Sequence, residues 1–240
     1  MKRENKGVSI LMPCLNEENS VGICVEKAFR FLEENRICGE IIVADNGSTD
    51  RSAEIARKLG ASVIRVEERG YGAALLAGIR AAKYRYIIMG DSDDSYNFLE
   101  IKPFYDRLKE GADMVIGNRF LGGIEPGAMP YLHRYIGNPF LSGLGKRLYH
   151  VEISDFHCGL RGAKKDVLLS LDLCTSKMEF ASEMIVKAAL AGVKMQEIPC
   201  KLYKDKRGRK SHLRSFRDGV RHFLFLIHPA WFEIKEKRGI

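Results

Sequence analysis

The sequence has no run of apolar residues long enough to cross a membrane. Near the C-terminus, the longest stretch without Asp, Glu, Lys or Arg covers residues 222–232 and includes Pro229. A bilayer requires about 20 consecutive apolar residues. The N-terminal sequence MKRENKG leads into a short strand-like run that ends at Pro13, and it lacks the long apolar core of a signal peptide. The sequence therefore predicts a chain that neither spans a membrane nor carries a secretion signal.

The cysteines are scattered, and their spacing excludes two kinds of site. There are six of them, and no two form a CxxC pair. This spacing indicates neither a zinc site nor a disulfide framework. We therefore expect reduced thiols and a cytosolic protein.

Two common nucleotide-binding motifs are also missing. Residues 68–74 (ERGYGAA) form a glycine-bearing loop that opens a predicted helix and could approach phosphates closely. The loop has neither the GxGxxG spacing of dinucleotide-binding domains nor the GKS/T ending of a P-loop. A sugar nucleotidyltransferase would need a glycine-rich basic loop after the first strand, where this chain has residues 13–18 (PCLNEE).

The composition is that of a globular protein with a basic C-terminal segment. The chain has 240 residues, of which 45% are hydrophobic and 29% charged, enough for one large domain. Its net charge is +8, and nine Lys or Arg residues lie between positions 201 and 221, against Asp205 and Asp218. Such a segment favours an anionic partner, namely nucleic acid, anionic lipid or a phosphate-bearing ligand.

Short apolar runs alternate with helical patterns along the first part of the chain. Runs at residues 8–12, 41–44, 62–66 and 86–89 indicate buried strands, with helix-like spacing between them. This alternation predicts an α/β fold with a mostly parallel central sheet flanked by helices. Ligands of such folds bind beyond the carboxyl ends of the strands.

Further along, the pattern predicts a mixture of elements. We expect a helix at residues 180–190, a strand at 195–202 and an amphipathic helix at 211–227. The Gly- and Pro-rich residues 121–139 predict a loop over the edge of the sheet.

The clearest chemical signal is the sequence IIMGDSDD at residues 87–94. An apolar strand here delivers Asp91, Asp93 and Asp94 to its exit, where the carboxylates would repel one another without a cation or basic side chains. Hard oxygen ligands in this arrangement suit Mg²⁺ or Mn²⁺ bridging to a diphosphate. A turn in which the aspartates only cap the backbone is the alternative.

A second polar turn, residues 45–50 (DNGSTD), follows another predicted strand. Gly47 permits a tight turn, and the side chains before it can hydrogen-bond a base or ribose.

Together these elements resemble the family-2 glycosyltransferases of the GT-A fold, and among them the polyprenyl-phosphate sugar synthases typified by dolichol-phosphate mannosyltransferase. The resemblance covers nearly the whole chain. It runs through residues 12–18, 45–50, 70–82, 91–93, 117–119, 158–161 and 206–217. Residues 1–210 would then form a GT-A catalytic domain with a Rossmann-like nucleotide-binding half and an acceptor half, followed by residues 211–240 as a C-terminal basic and aromatic segment.

The resemblance implies a role for particular residues of this chain. Those that would bind the nucleotide sugar are Pro13, Leu15, Glu17, Ala44, Asp45, Asn46, Asp91, Ser92, Asp93 and Arg207. Those that would bind Mg²⁺ or Mn²⁺ are Asp91 and Asp93. Those that would bind the acceptor phosphate are Arg119, Arg134 and Asn138. Those with a catalytic role would be Asp93, Arg119 and Glu183, with Glu183 near the sugar.

Four features depart from the family pattern. The family often has two aspartates where this chain has Asp45 and Asn46, so the base or ribose contact can differ. Tyrosine is common where Leu15 stands, which removes a possible stacking surface. Ser95 would be a weak metal ligand where some relatives supply a stronger one. Relatives frequently continue into transmembrane helices after a segment like residues 217–231, where this chain stops.

The implied reaction moves a hexose from a nucleotide sugar, of the GDP-mannose or UDP-glucose type, to a polyprenyl phosphate such as dolichyl or undecaprenyl phosphate. A phosphate monoester is already anionic near neutral pH, so this acceptor needs no general base. If the acceptor were instead a sugar hydroxyl, a carboxylate base would be required, with Glu183 or Asp155 as candidates. A nucleic-acid-binding module is the alternative from another class, but the basic residues gather in one terminal segment and do not spread over a face.

The C-terminal helix also predicts attachment to a membrane. Phe216, Val220, Phe223, Leu224 and Ile227 share one face; beside them stand Arg214, Arg217 and Arg221, which would meet anionic headgroups, and Trp231, which suits the interface. The same apolar stripe would also serve a helix packed on the sheet. We expect a peripheral protein on the cytoplasmic face of the membrane, where a membrane-protein partner is an additional means of attachment, and we expect no nucleic-acid partner.

Overall fold

The computed structural model describes residues 7–208 and 215–228. Its centre is a seven-stranded sheet in the order β3-β2-β1-β4-β6-β5-β7. The strands are β1 (Val8–Cys14), β2 (Gly39–Asp45), β3 (Ser62–Arg65), β4 (Tyr86–Met89), β5 (Met114–Asn118), β6 (Arg161–Lys164) and β7 (Met195–Pro199). Among the strands of the described residues, only β6 runs antiparallel to its neighbours, β4 and β5, so the prediction of a mostly parallel sheet is confirmed.

Helices connect the strands and cover the sheet. They are α1 (Val21–Glu34), α2 (Ser52–Lys58), α3 (Tyr71–Ala81), α4 (Lys102–Lys109), α5 (Arg119–Gly122), α6 (Asn138–Tyr149), α7 (Lys165–Ser170), α8 (Phe180–Leu190) and α9 (Ser215–Ile227). The small residues of α3 let it pack closely, since a Cβ on Gly78 would lie 2.1 Å from a Leu11 methyl group. Burial of β1, β2 and β4 on both faces explains their continuous apolar sequences.

The register of the parallel strands brings their polar exits together. Cys14 at the end of β1 pairs with Asp45 at the end of β2, and Leu11 pairs with Met89 at the end of β4. The residues that follow β1, β2 and β4 therefore share one edge of the sheet, as ligand-binding residues do in open α/β folds.

Two stretches differ from the sequence-based expectation. Residues 121–139 are not a loop throughout: the chain is helical from Tyr131 and continues into α6. Strand β6 was not predicted because its sequence RGAK has no apolar alternation. It forms because Gly162 and Ala163 fit between two existing strands and pair with both.

Helix α9 packs against α6 and α8, with Phe225 and Leu226 buried. Val220, Leu224 and Ile227 remain 37–41% exposed, so the helix contributes to the core and to the surface. The predicted domain division at residue 210 lies outside the described residues, as do Arg214, Trp231 and the Phe216 side chain.

Candidate active site

Two adjoining cavities lie beyond the carboxyl ends of β1, β2 and β4. The first has a volume of about 580 Å³, within the usual range for ligand sites, and the second has about 290 Å³. They share five lining residues, namely Tyr71, Asp91, Asp93, Met178 and Asp218. Asp91 and Asp93 of the 91–94 sequence therefore stand where the two cavities meet.

Asp91 is held between the two cavities by aromatic and basic neighbours. Tyr71 hydrogen-bonds it, and Gly159 packs so closely that a Cβ there would lie 2.6 Å from Asp91 Oδ2. Burial raises the pKa of Asp91, against the opposing effects of Arg207, Tyr71 and Arg119. A cation placed beside Asp91 would compensate this loss of hydration.

Asp93 is 4% exposed, and its carboxylate is held from two directions. Ser95 donates to Asp93 Oδ1 from both its backbone N (3.0 Å) and its Oγ (2.5 Å). Arg207 forms an ion pair with Asp93 Oδ2 and lies 4.0 Å from Glu17 Oε1. Ser95, expected from the sequence to be a weak metal ligand, instead orients Asp93.

The segment 203–208 after β7 lies across these carboxylates. Backbone N–H groups of Tyr203 and Lys206 donate to the carbonyls of Ser95 and Asp93, both at 2.9 Å. Arg207 Nε is buried without a hydrogen bond in the described part of the chain, although Asp205 Oδ1 is 3.2 Å away. A phosphate oxygen is a suitable partner for such a donor.

Asp94 differs from its two neighbours because it lines neither cavity. Its backbone is left-handed (φ 64°), and its carboxylate pairs with Lys27 at 2.6 Å and Lys206 at 2.7 Å. We conclude that Asp94 anchors segment 203–208 to α1.

On the nucleoside side, the structure separates the predicted residues into two groups. Pro13, Leu15, Glu17, Asn46, Ser92 and Arg207 line the first cavity. Ala44 is fully buried in β2, and Asp45 accepts a hydrogen bond from the Ser48 N–H at 3.1 Å; neither lines the cavity. The prediction that these two side chains contact the nucleotide is therefore not supported by their placement.

The Asn46 side chain organises the neighbouring glycine loop. Its Nδ2 donates to the Glu68 carbonyl at 2.6 Å, and its Oδ1 accepts from the Gly70 N–H at 2.7 Å. Gly70 has φ 148°, and a Cβ there would lie 2.0 Å from the Ser176 carbonyl oxygen. Asparagine in place of the family's second aspartate thus supplies the N–H donor that this loop needs.

Arg119 lines the second cavity from a fixed position at the end of β5. Its Nε and Nη2 donate to the two carboxylate oxygens of Asp155 at 2.8 and 2.7 Å, and its backbone N donates to the same carboxylate at 3.1 Å. Asp155 is fully buried. Because Arg119 holds it so completely, Asp155 is unsuited to the general-base role considered above.

The predicted acceptor residues lie on or near the second cavity. Asn138 lines it together with His133 and Gly137. Arg134 does not line it; the guanidinium lies over the Tyr135 ring, 5.3 Å from its centroid. A contact of Arg134 with the lipid phosphate stays a prediction.

Glu183 lines neither cavity, which corrects the expectation that it faces the sugar. It is fully buried in α8, and its oxygens accept bonds from Cys174 N (2.9 Å), Thr175 N (2.9 Å) and Thr175 Oγ1 (2.6 Å), with Lys187 at 2.9 Å. Glu183 therefore fixes the conformation of the segment that precedes α8. Residues 175 and 176 of that segment contact the glycine loop.

One wall of the site, formed by α9 and the residues just before α8, was not predicted from the sequence. Arg217, Asp218 and Arg221 of α9 line the first cavity with Lys177 and Met178. Arg221 Nε donates to Glu179 Oε2 at 2.9 Å, and Glu179 is fully buried. The prediction that Arg221 meets lipid headgroups is therefore wrong, because a buried carboxylate holds it inward.

The carboxylates of the site fit a divalent metal. Mg²⁺ is commonly bound through one or two carboxylates together with substrate phosphates and water. Among the described residues there is no group of three or more His, Cys, Asp or Glu side chains placed to hold a metal. Asp91 and Asp93 can supply two oxygen ligands to such a metal, and Arg207 Nε, the buried donor beside them, is suited to bind a phosphate oxygen.

Comparison with known proteins agrees with this geometry. Residues 9–171 match the model of the family "Glycosyl transferase family 2". The chain is 40% identical over 224 residues to the low-salt glycan biosynthesis hexosyltransferase Agl6 of Haloferax volcanii, covering 93% of this chain and 54% of that protein. It is 30% identical over 213 residues to the dolichyl-phosphate hexose transferase of the same organism, covering 89% of each. The chain thus spans about half the length of the first relative and most of the second.

Solved structures show the same fold. Glucosyl-3-phosphoglycerate synthase from Mycobacterium tuberculosis, in complex with Mn²⁺, UDP and glucosyl-3-phosphoglycerate, superposes with a TM-score of 0.74 over 93% of this chain and 79% of that one, at 19% identity. This likeness confirms the GT-A fold. The family model, the two relatives and the carboxylates after β4 all agree. The chain therefore belongs to glycosyl transferase family 2 and is a glycosyltransferase.

Proposed function

We propose that this glycosyltransferase moves a hexose from a nucleotide sugar to a polyprenyl phosphate at the cytoplasmic face of a membrane, using Mg²⁺ or Mn²⁺. The observation that supports this most is the meeting of two cavities at Asp91 and Asp93. One cavity suits a nucleoside, and the other suits an anionic acceptor. The dolichyl-phosphate hexose transferase relative supports the acceptor class.

The donor would occupy the first cavity with its diphosphate at the carboxylates. A bound divalent metal would neutralise charge that develops on the departing nucleoside diphosphate. Arg207 would share that task, because its buried guanidinium already lies against Asp93 and Glu17. Pro13 and Leu15 would pack against the nucleoside, and the loop at Gly70 would close that side.

The acceptor would approach through the second cavity. Arg119 is fixed there by Asp155, so it can bind an anion without reorganising. A phosphate acceptor needs no base, and the two carboxylates considered for that task are held by Arg119 and by Thr175. These contacts favour a phosphate over a sugar hydroxyl as the nucleophile.

An exposed apolar face next to the second cavity supports a membrane-bound acceptor. The helical stretch that begins at Tyr131 exposes five large side chains to between 55% and 71%. They are Tyr131, Leu132, Tyr135, Ile136 and Phe140. Phe140 stacks on Phe223 of α9 at 6.4 Å, which joins this face to the exposed residues of α9. Contiguous apolar surface with interfacial tyrosines is typical of membrane contact.

No helix among the described residues is long and apolar enough to cross a membrane. Attachment would therefore use the apolar face, supported by basic side chains such as Arg134 that attract anionic headgroups. A membrane-protein partner would be an additional means of attachment.

Transfer itself is the main test. Purified protein is incubated with radiolabelled GDP-mannose or UDP-glucose, with Mn²⁺ or EDTA, and with either a short polyprenyl phosphate or a free sugar acceptor. We expect a metal-dependent product only with the polyprenyl phosphate. A product formed only on the sugar acceptor would favour the hydroxyl alternative and overturn this assignment.

Binding to vesicles tests the membrane contact. The protein should sediment with anionic liposomes at low salt and be released at high salt. Ile136→Asp should reduce sedimentation, whereas Leu169→Asp, at an exposed leucine on α7, should leave it unchanged. Failure of the wild-type protein to sediment at low salt would exclude direct attachment.

A further inference from the structure

A cluster of two histidines and a serine borders the second cavity. The rings of His157 and His222 meet edge to face, with centroids 4.4 Å apart. Ser182 Oγ lies 2.8 Å from His222 Nδ1 and 3.4 Å from His157 Nε2. Both histidines line the cavity that also contains Asp91 and Asp93.

One nitrogen of this cluster has no partner. His157 Nδ1 is buried and makes no hydrogen bond with any of residues 7–208 and 215–228. A buried polar atom without a partner costs stability, and because His157 lines the second cavity, a ligand there that bonded Nδ1 would recover that cost. Because Ser182 has one hydroxyl proton, it can donate to one ring and accept from the other, so the tautomer of one histidine determines that of the other.

The loop that carries His157 is rigid. The Arg161 guanidinium donates to the carbonyls of Phe156 (2.5 Å), Cys158 (2.8 Å) and Ala181 (2.7 Å). The Gly159 N–H donates to Tyr96 Oη at 2.9 Å. These bonds fix the backbone on both sides of His157 before any ligand arrives, as selective binding requires.

Both rings stay uncharged near neutral pH. Burial lowers the pKa of His222 to about 4, although Glu179 opposes the shift. Burial, with His222, Arg119 and Arg161 nearby, holds the pKa of His157 well below its usual range. A neutral imidazole nitrogen pairs better with a hydroxyl than with a phosphate, which would favour an imidazolium.

The position of the cluster indicates that its ligand is the transferred sugar. The nucleoside and diphosphate would extend from Pro13 and Asn46 to Asp91 and Asp93, where the first cavity ends. The next group along the donor would then enter the second cavity. Gly159, two residues from His157, contacts Asp91.

We propose that His157, oriented by Ser182 and His222, hydrogen-bonds a hydroxyl of the hexose in the nucleotide-sugar donor and so helps to select the sugar. This assignment rests on the proposed function. His157 would contact the substrate, whereas Ser182 and His222 would be positioning residues.

The test compares the affinity for a nucleotide sugar with that for its nucleoside diphosphate, in Mn²⁺, by calorimetry. A panel of UDP- and GDP-hexoses first identifies the donor. His157→Phe keeps a ring beside His222 and should weaken donor binding by roughly three- to tenfold, the usual loss for one neutral hydrogen bond. Affinity for the nucleoside diphosphate should not change.

A matched pair of variants separates the hydrogen bond from packing. The amide of His157→Asn reaches about as far from the backbone as Nδ1, whereas that of His157→Gln reaches to the position of Nε2. We expect the asparagine variant to bind the nucleotide sugar more tightly than the glutamine variant, with equal affinities for the nucleoside diphosphate. Deoxy analogues of the donor should then identify one hydroxyl whose removal weakens the wild type but not His157→Phe.

Several outcomes would overturn the inference. One is unchanged donor affinity in His157→Phe, and another is an equal loss for the nucleoside diphosphate. A rise in the acceptor KM with unchanged donor affinity would assign His157 to the acceptor. If His157→Phe fails to fold, equal donor affinities in the asparagine and glutamine variants would refute the hydrogen bond. These results leave the proposed function intact, whereas wild-type protein that binds no nucleotide sugar would overturn both.

Discussion

Replacement of Asp155 by Asn should destabilise the protein strongly, because it leaves the Arg119 charge buried without its counter-ion. Asp155 is fully buried and Arg119 is 8% exposed. Two charge-assisted hydrogen bonds and one from the backbone join them. Removal of one partner from such a pair costs about 3–5 kcal/mol. That is a large share of the roughly 5–15 kcal/mol by which a domain is stable.

Urea unfolding, followed by circular dichroism, measures this loss directly. The unfolding midpoint should fall with little change in slope, and the melting temperature should fall by on the order of 10 °C. Glu34→Gln is the control, because Glu34 pairs with Arg30 on the exposed surface of α1 and should matter by less than about 0.5 kcal/mol. A loss under about 1 kcal/mol in Asp155→Asn would refute the reasoning.

A double variant separates stability from function. Arg119→Met combined with Asp155→Leu removes both charges and fills the space with apolar groups, so most of the stability should return. Transfer should stay low, because Arg119 also lines the second cavity. Recovery of both stability and transfer would show that Arg119 serves the fold alone.

Three other outcomes can be measured. Asp93→Asn should lower turnover more than tenfold, a loss above about 1.4 kcal/mol in transition-state stabilisation. Asp106→Asn, at a partly exposed aspartate on α4 that lines neither cavity, should keep most activity; equal losses would argue against Asp93 as a metal ligand. Arg134→Ala should raise the KM for the lipid acceptor with little change in nucleotide affinity, and a loss of nucleotide affinity would move Arg134 to the donor side. Burial lowers the pKa of His222 to about 4, from 6.5 in the unfolded chain. Between these pH values the unfolded state binds more protons than the folded state, so the free energy of unfolding should fall by up to about 3 kcal/mol as the pH falls through this range. His222→Gln should reduce the slope of that part of the stability profile, leaving the contribution of His157, while the exposed His228→Gln does not; an unchanged profile in His222→Gln would contradict the assignment.

The sequence alone determined the parallel part of the sheet and the position of its carboxylates. Strands buried on both faces need continuous apolar runs, which are visible at β1, β2 and β4. Since parallel strands end at one edge of the sheet, the aspartates after β4 had to lie near the polar residues after β1 and β2. The motif order then indicated the family.

Only the tertiary structure decided which polar side chains are available to a ligand. Glu183 and Asp155 are acidic residues in plausible places, but Thr175 and Arg119 hold them. Such partners lie 8 to 36 positions apart in the sequence, and no local pattern encodes them. The inward orientation of Arg221 depends likewise on Glu179, 42 positions away. Composition and periodicity report whether a residue is buried, whereas the partner it meets there is set by the packing of whole elements.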